Sequence, residues 1–314
     1  MNSVGCVIGV DVAKAEVVVA VLGEPGVVSL ANETEVLRAW LARLPAGSCL
    51  ALESTGGYHR RLAELAHGRG LTVYLLNPQD VCHYARALGR RAKTDRVDAE
   101  LLARYLAQEH GALHPWEPPS PAQERIARLL KRRAKLVVAR GMLRASLADL
   151  EELESERAAV LKGLMSLQRA MEQELAHAIA ALPEGRTRFA QLCSIPGIGP
   201  LSGAALTELF SRVRFARSDA AVAYAGLDPR ARDSGQRRGR RHLSKRGPAQ
   251  LRCLLFNAAM SAARTPTWKP FYERQRAKGL SSTAALVVLA RKLMRVAYAL
   301  DKHHTTFDPR FAGA

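Results

Sequence analysis

Four carboxylates stand where a divalent cation could be held. Asp11 follows the apolar run 6–10 and Glu53 follows the apolar run Cys49 to Leu52, so both fall at the ends of expected strands. Asp95 and Asp98 are three residues apart at the start of an expected helix, which places them on one face. Mg2+ is a hard cation that takes carboxylate oxygens, keeps water and binds phosphate oxygens. Two acids at strand ends and two on one helical turn can converge on it, polarise a phosphodiester and stabilise the attacking and leaving oxygens. Each acid alone has an ordinary use, solvating a strand end or capping a helix. The order strand-Asp, strand-Glu, helix-Asp-Asp gives the set its meaning.

A second chemistry-bearing stretch runs from Asp228 to Gly247, a Gly/Arg-rich loop that carries Ser234 and, ten residues on, Ser244. A serine hydroxyl that attacks a phosphodiester conserves the bond energy as phosphoserine, so strands can be rejoined without a high-energy cofactor. Arg237, Arg238, Arg240 and Arg241, followed by Lys245 and Arg246, would neutralise phosphate charge. The bland alternative is a turn serine in a solvated loop. The loop leaves two candidates, Ser234 and Ser244. A third stretch, Ile195-Pro196-Gly197-Ile198-Gly199-Pro200 leading into an apolar helix, is helix-hairpin-helix-like. Backbone N–H groups near Gly197 and Gly199 could hold a phosphate without reading bases; an ordinary turn between helices is the other reading.

The elements that must position these residues follow from pattern. Runs 4–11 and 15–22 are β-branched and separated by a short turn, a hairpin. A third strand is expected at 27–30, a helix capped by Asn32, then strand 49–52, helix 58–69, strand 71–76 ending at Asn77-Pro78, and a helix from about Thr94 to Gln108. Strands first and then strands alternating with helices indicate a mixed sheet flanked by helices. The proline-dense segment His114–Pro121 admits neither helix nor central strand. Residues 122–182 lack proline and have helical periodicity, consistent with one or two long helices paired as a coiled coil or hairpin and ended by Pro183. The expected organisation is residues 1–112, a metal-binding catalytic domain; 113–184, linker and helical region; and 185–314, a basic helical domain with the serine loop.

Charge assigns the work. The 314 residues carry 47 basic and 29 acidic side chains, a formal charge of +18. Residues 1–110 hold 12 of each, whereas residues 183–314 hold 24 basic and 8 acidic, so one region in particular is built for a polyanion. Apolar residues at 48% exclude a disordered tail protein. The five cysteines form no CxxC pair, which argues against structural zinc and a disulfide framework and for a reducing cytoplasm. No signal peptide is expected, and the apolar run Ala284 to Ala290 is too short to cross a bilayer.

Taken together, GVDVAK around Asp11, LESTGGY around Glu53 and KTDRVDAELLARY around Asp95 and Asp98 resemble the DEDD transposases of bacterial insertion sequences. This is the RNA-guided bridge-recombinase family, relatives of the pilin-inversion recombinases. LCSIPGIGPLSGAAL, AYAGLDPR, DSG and SKRG-x3-LR resemble that family's C-terminal transposase domain. The resemblance implies an α/β RuvC-like (ribonuclease H-type) N-terminal domain holding Mg2+ on Asp11, Glu53, Asp95 and Asp98. It implies a long helical coiled-coil middle and a mostly α-helical C-terminal domain whose nucleophilic serine aligns with Ser234. It further implies a homo-oligomer, a tetramer arranged as a dimer of dimers, acting on double-stranded DNA in the bacterial cytoplasm, at the nucleoid, with an element-encoded guide RNA. Two other readings remain from the residues themselves. One is a RuvC-like nuclease that uses metal-activated water; the other is a non-catalytic nucleic-acid-binding module.

Overall fold

Side-chain alternation along the first strands decides what each face of the sheet must meet. The computed structural model describes residues 5–54, 57–89, 95–230 and 241–311, with the side chains of residues 95, 96 and 311 left aside. Strands β1 (Val7–Val12), β2 (Glu16–Val21) and β3 (Val28–Ala31) form an antiparallel meander. Helix α1 (Thr34–Ala42), β4 (Cys49–Glu53), α2 (His59–Gly68), β5 (Thr72–Leu76), α3 (Pro78–Ala87) and α4 (Asp95–Glu109) follow. The five strands run in the order β3-β2-β1-β4-β5, with β1, β4 and β5 parallel.

Ile8, Val10, Val12, Leu50 and Leu52 point to one face and bury against Leu37, Trp40 and Leu41 of α1 and Leu62, Ala63 and Ala66 of α2. The opposite face carries Gly9, Asp11, Ala51 and Glu53, and Ala51 packs with Leu101, Leu102 and Leu106 of α4. Helix α4 lies close there because position 9 has no side chain. A Cβ on Gly9 would stand 2.0 Å from the Ala99 carbonyl oxygen and 2.4 Å from the Ala103 nitrogen.

Two local expectations are corrected. Asn32 does not cap α1: its side-chain amide donates to the Ala13 carbonyl at 2.8 Å, fixing the β1–β2 turn, and Glu33 occupies the cap position without a side-chain bond. Asn77-Pro78 does more than end β5. Asn77 accepts from the Gln79 backbone N–H at 2.9 Å and Pro78 opens α3, a helix the sequence reading omitted.

The chain divides into two compact units, Met1–Pro118 and Pro119–Ala314. Helices α5 (Pro121–Ser146) and α6 (Glu154–Ala180) begin the second. Ser120 and Gln123 form a reciprocal cap at the start of α5. Arg125 pairs with Glu174, Arg133 Nε with Glu172 at 2.6 Å, and Arg140 with Gln168 at 2.9 Å, so the two helices run antiparallel as a hairpin. Ile126, Leu130, Leu175 and Ile179 bury the base of that hairpin in the same core as α7 (Gly185–Cys193), α8 (Pro200–Arg212) and α9 (Ser218–Tyr224). A two-residue ribbon, β6 (Pro229–Arg230) with β7 (His242–Leu243), precedes α10 (Ala249–Ala262), α11 (Lys269–Ala277) and α12 (Ser282–His303). Trp268 is fully buried and packs edge-on to Phe271, part of the same core.

Candidate functional site

Asp11 is reached by extending the β1–β4 register one step. Val10 pairs with Leu52, and the next residues, Asp11 and Glu53, stand side by side at the carboxyl ends of neighbouring parallel strands. Both are half-buried and both lie on the face that α4 covers. Asp98 is in the first turn of α4, one turn before Leu102, whose Cβ is among the atoms nearest Gly9. Ala99, the residue after Asp98, packs against Val18, and Val18 is the cross-strand partner of Asp11. The start of α4 therefore lies over the strand ends that carry Asp11 and Glu53. Asp95 opens the same helix; its side chain is outside the described residues.

Carboxylate oxygens are the donors that Mg2+ takes. Among the described residues, no three His, Cys, Asp or Glu side chains form a group that could hold a metal ion. Asp11, Glu53 and Asp98 therefore do not make up such a group by themselves, and the side chain of the fourth acid, Asp95, lies outside the described residues.

In the second unit the two ends of the serine loop are locked together. The Ser244 N–H donates to the Asp228 carbonyl at 2.9 Å, and the Lys245 N–H donates to the Gly226 carbonyl at 3.2 Å. The Ser244 hydroxyl donates to the Asp228 carboxylate. Ser244 is only 8% exposed, so of the two candidate serines this one is committed to holding the loop. Ser234, Arg237, Arg238 and Arg240 lie outside the described residues. Arg241, Lys245 and Arg246 are exposed.

Gly197 and Gly199 occupy the α7–α8 turn. Gly197 has φ +96° and faces α10, where a Cβ would come within 2.5 Å of the Ala262 Cβ, so its requirement is partly one of packing. Gly199 is exposed, caps α8 and has open space beside it.

Cationic crowding is visible on α12. Burial, the Arg295 charge and the Arg274 charge hold the Lys292 ammonium below its usual range. Burial and Arg295 likewise depress Arg291, opposed by Asp219 and Asp228. A surface of this kind gains from a polyanion, which relieves the repulsion. Elsewhere, burial pushes the Cys193 thiol up to about 11. Among the described residues no helix is long and apolar enough to cross a membrane.

Residues 8–170 match a DEDD-type IS110 family model described as transposase, and residues 190–273 match one described as transposase, IS116/IS110/IS902 family. A pilin gene-inverting protein of Moraxella lacunata is 30% identical over 269 residues, covering 83% of this chain and 82% of that protein. A probable family 20 transposase of Pseudomonas aeruginosa is 28% identical over 313 residues, covering 87% and 89%. The transposase of insertion sequence element IS1111A from Coxiella burnetii is 25% identical over 338 residues, covering 96% and 91%.

Proposed function

The chain belongs to the IS116/IS110/IS902 family of transposases, and we propose that it moves an insertion sequence as a site-specific DNA recombinase with a serine nucleophile and an acid-bound metal. The observation that carries the metal half is the register that sets Asp11 beside Glu53 beneath the start of α4, where Asp98 lies. The sheet order β3-β2-β1-β4-β5, antiparallel and then parallel, supports a RuvC-like reading of the first unit.

In this reading Ser234 Oγ forms a bond to phosphorus while one P–O bond to deoxyribose breaks, and the hydroxyl proton ends on the leaving oxygen. Reversal by a different strand end rejoins the DNA, and the number of phosphoester bonds is unchanged throughout. Asp11, Glu53, Asp95 and Asp98 would hold Mg2+, which supplies charge neutralisation at the scissile phosphate. Arg237, Arg238, Arg240, Arg241, Lys245 and Arg246 hold the flanking backbone, with the Gly199 end of α8 as a further phosphate contact.

Exposed apolar side chains on the α5–α6 hairpin support a homo-oligomer, which the family likeness extends to a tetramer. Val138 is 62% and Met142 68% exposed, and Leu153, Val160, Met165 and Leu167 add to them. A cationic second unit serves either polyanion, double-stranded DNA or an element-encoded guide RNA, with the work done at the nucleoid in the bacterial cytoplasm.

The test is trapping on a nicked duplex carrying an element end. The expected result is a covalent protein–DNA adduct that Ser234→Ala abolishes. Asp98→Asn should also abolish it while leaving DNA binding in place. Clean hydrolysis by the Ser234→Ala variant would replace this reading with a nuclease that uses metal-activated water, and unimpaired function in Asp11→Ala would leave only a binding module.

A further inference from the structure

We infer that Asp228 and Ser244 form a latch that positions the nucleophilic loop, so that both are positioning residues for strand exchange. This rests on the serine reading above and deepens it. The residues concerned fall in the segments AYAGLDPR and SKRG, which flank the loop on either side.

Three layers of contact close the loop at its base. The first is backbone pairing: Pro229 with Leu243 and Arg230 with His242 in the ribbon, then Ser244 to Asp228 and Lys245 to Gly226 below it. The second is steric. Gly247 crosses the other stem so closely that a Cβ would stand 1.7 Å from the Tyr224 carbonyl oxygen. Gly226, at φ +65°, would bring a Cβ to 2.8 Å from the Gly247 nitrogen. The third is polar. Arg252 donates to the Gly247 carbonyl at 2.7 Å and to the Ala225 carbonyl at 3.4 Å, tying both stems to α10.

Across this closed base the buried Ser244 hydroxyl of one stem donates to the Asp228 carboxylate of the other. Such a bond is stronger than a neutral one and directional. Arg291 on α12 supplies the charge that faces Asp228, and its Nε is buried with no hydrogen-bond partner among the described residues. The carboxylate thus accepts the hydroxyl of the opposite stem, and the Arg291 charge on the core helix acts on it without a hydrogen bond. Ser234 lies six residues after Asp228 and ten before Ser244. The chain between the two fixed ends carries that serine. A nucleophile misplaced by about 1 Å loses about 10²-fold in rate.

The experiment measures adduct formation on the nicked duplex at saturating DNA, well below the melting temperature. Ser244→Ala and Asp228→Ala are each expected to slow it by about 10²-fold, with dissociation constants unchanged and the adduct still mapping to Ser234. The double variant should be no slower than either single one, and Ser244→Thr, which keeps the hydroxyl, should recover most of the rate. Tryptic cleavage after Arg237, Arg238, Arg240 or Arg241 should accelerate in the two alanine variants, a readout independent of serine chemistry. A wild-type rate in Ser244→Ala, or additive losses in the double variant, would overturn the latch while leaving the serine reading intact. An adduct that maps to Ser244, or no adduct from the unaltered chain, would overturn the serine reading and the positioning role together.

Discussion

Ala99 of α4 and Gly9 of β1 meet backbone to backbone: a Cβ at position 9 would stand 2.0 Å from the Ala99 carbonyl oxygen. No side-chain rotation relieves a contact with a carbonyl, so any residue larger than glycine must push the helix off the sheet. Asp98 moves with it.

Gly9→Ala should therefore destabilise the first unit by about 1–3 kcal/mol, the usual range for overpacking. It should also abolish strand cleavage at temperatures where the unit remains folded. Thermal melts and cleavage assays on the same preparation check this. A variant of wild-type stability and activity would show that α4 is not held by this contact.

Magnesium should raise the melting temperature of the wild-type chain, because a ligand bound to the folded state alone stabilises it. Asp11→Asn or Glu53→Gln should remove that shift, measured for each variant against its own melting temperature in EDTA. A shift that persists in both variants would place the ion elsewhere.

Arg237→Ala and Arg238→Ala should each weaken DNA binding across sequences and reduce the slope of log K against log salt by about 1, the loss of one phosphate contact. Lys245→Ala should act in the same direction, because Lys245 is exposed beside the latched base. Titrations at several salt concentrations measure the slope. An unchanged slope would remove the loop from the phosphate backbone.

Thiol labelling should separate the cysteines by burial. At pH 8 the exposed Cys82 and Cys253 should react promptly. Cys193, half-buried and with its thiol pushed up to about 11, carries less thiolate and should react more slowly. The order of labelling by mass spectrometry tests this.

The strands were legible because β-branched runs alternate with turns: the observed β2 and β5 fall inside the expected runs, and β1 and β4 overrun theirs by one residue each. Helix α3 was not, because Asn77-Pro78 stops a strand and starts a helix with the same two residues. The apolar stripe of residues 122–182 was legible as helix, but periodicity does not name what covers a stripe. Only the base of the hairpin, through Ile126 and Leu175, joins the core shared with α7 and α8. For the candidate site, the acids announced themselves by type and order. The nearness of Asp11 to Glu53 needed the β1–β4 register, which no local pattern contains. Asp228 was passed over because a latch depends on a partner sixteen residues away, and Gly247 because a backbone crossing leaves no mark except the absence of a side chain.

From residue 131 to residue 174 no side chain of the hairpin is fully buried. The span from Leu130 to Ser146 alone carries the chain about 24 Å from its last core contact. Folding therefore places little constraint on how long this arm is. Whole turns could be gained or lost in step on both helices without disturbing the body below. The reach of the arm is thus set apart from the packing that holds the body together.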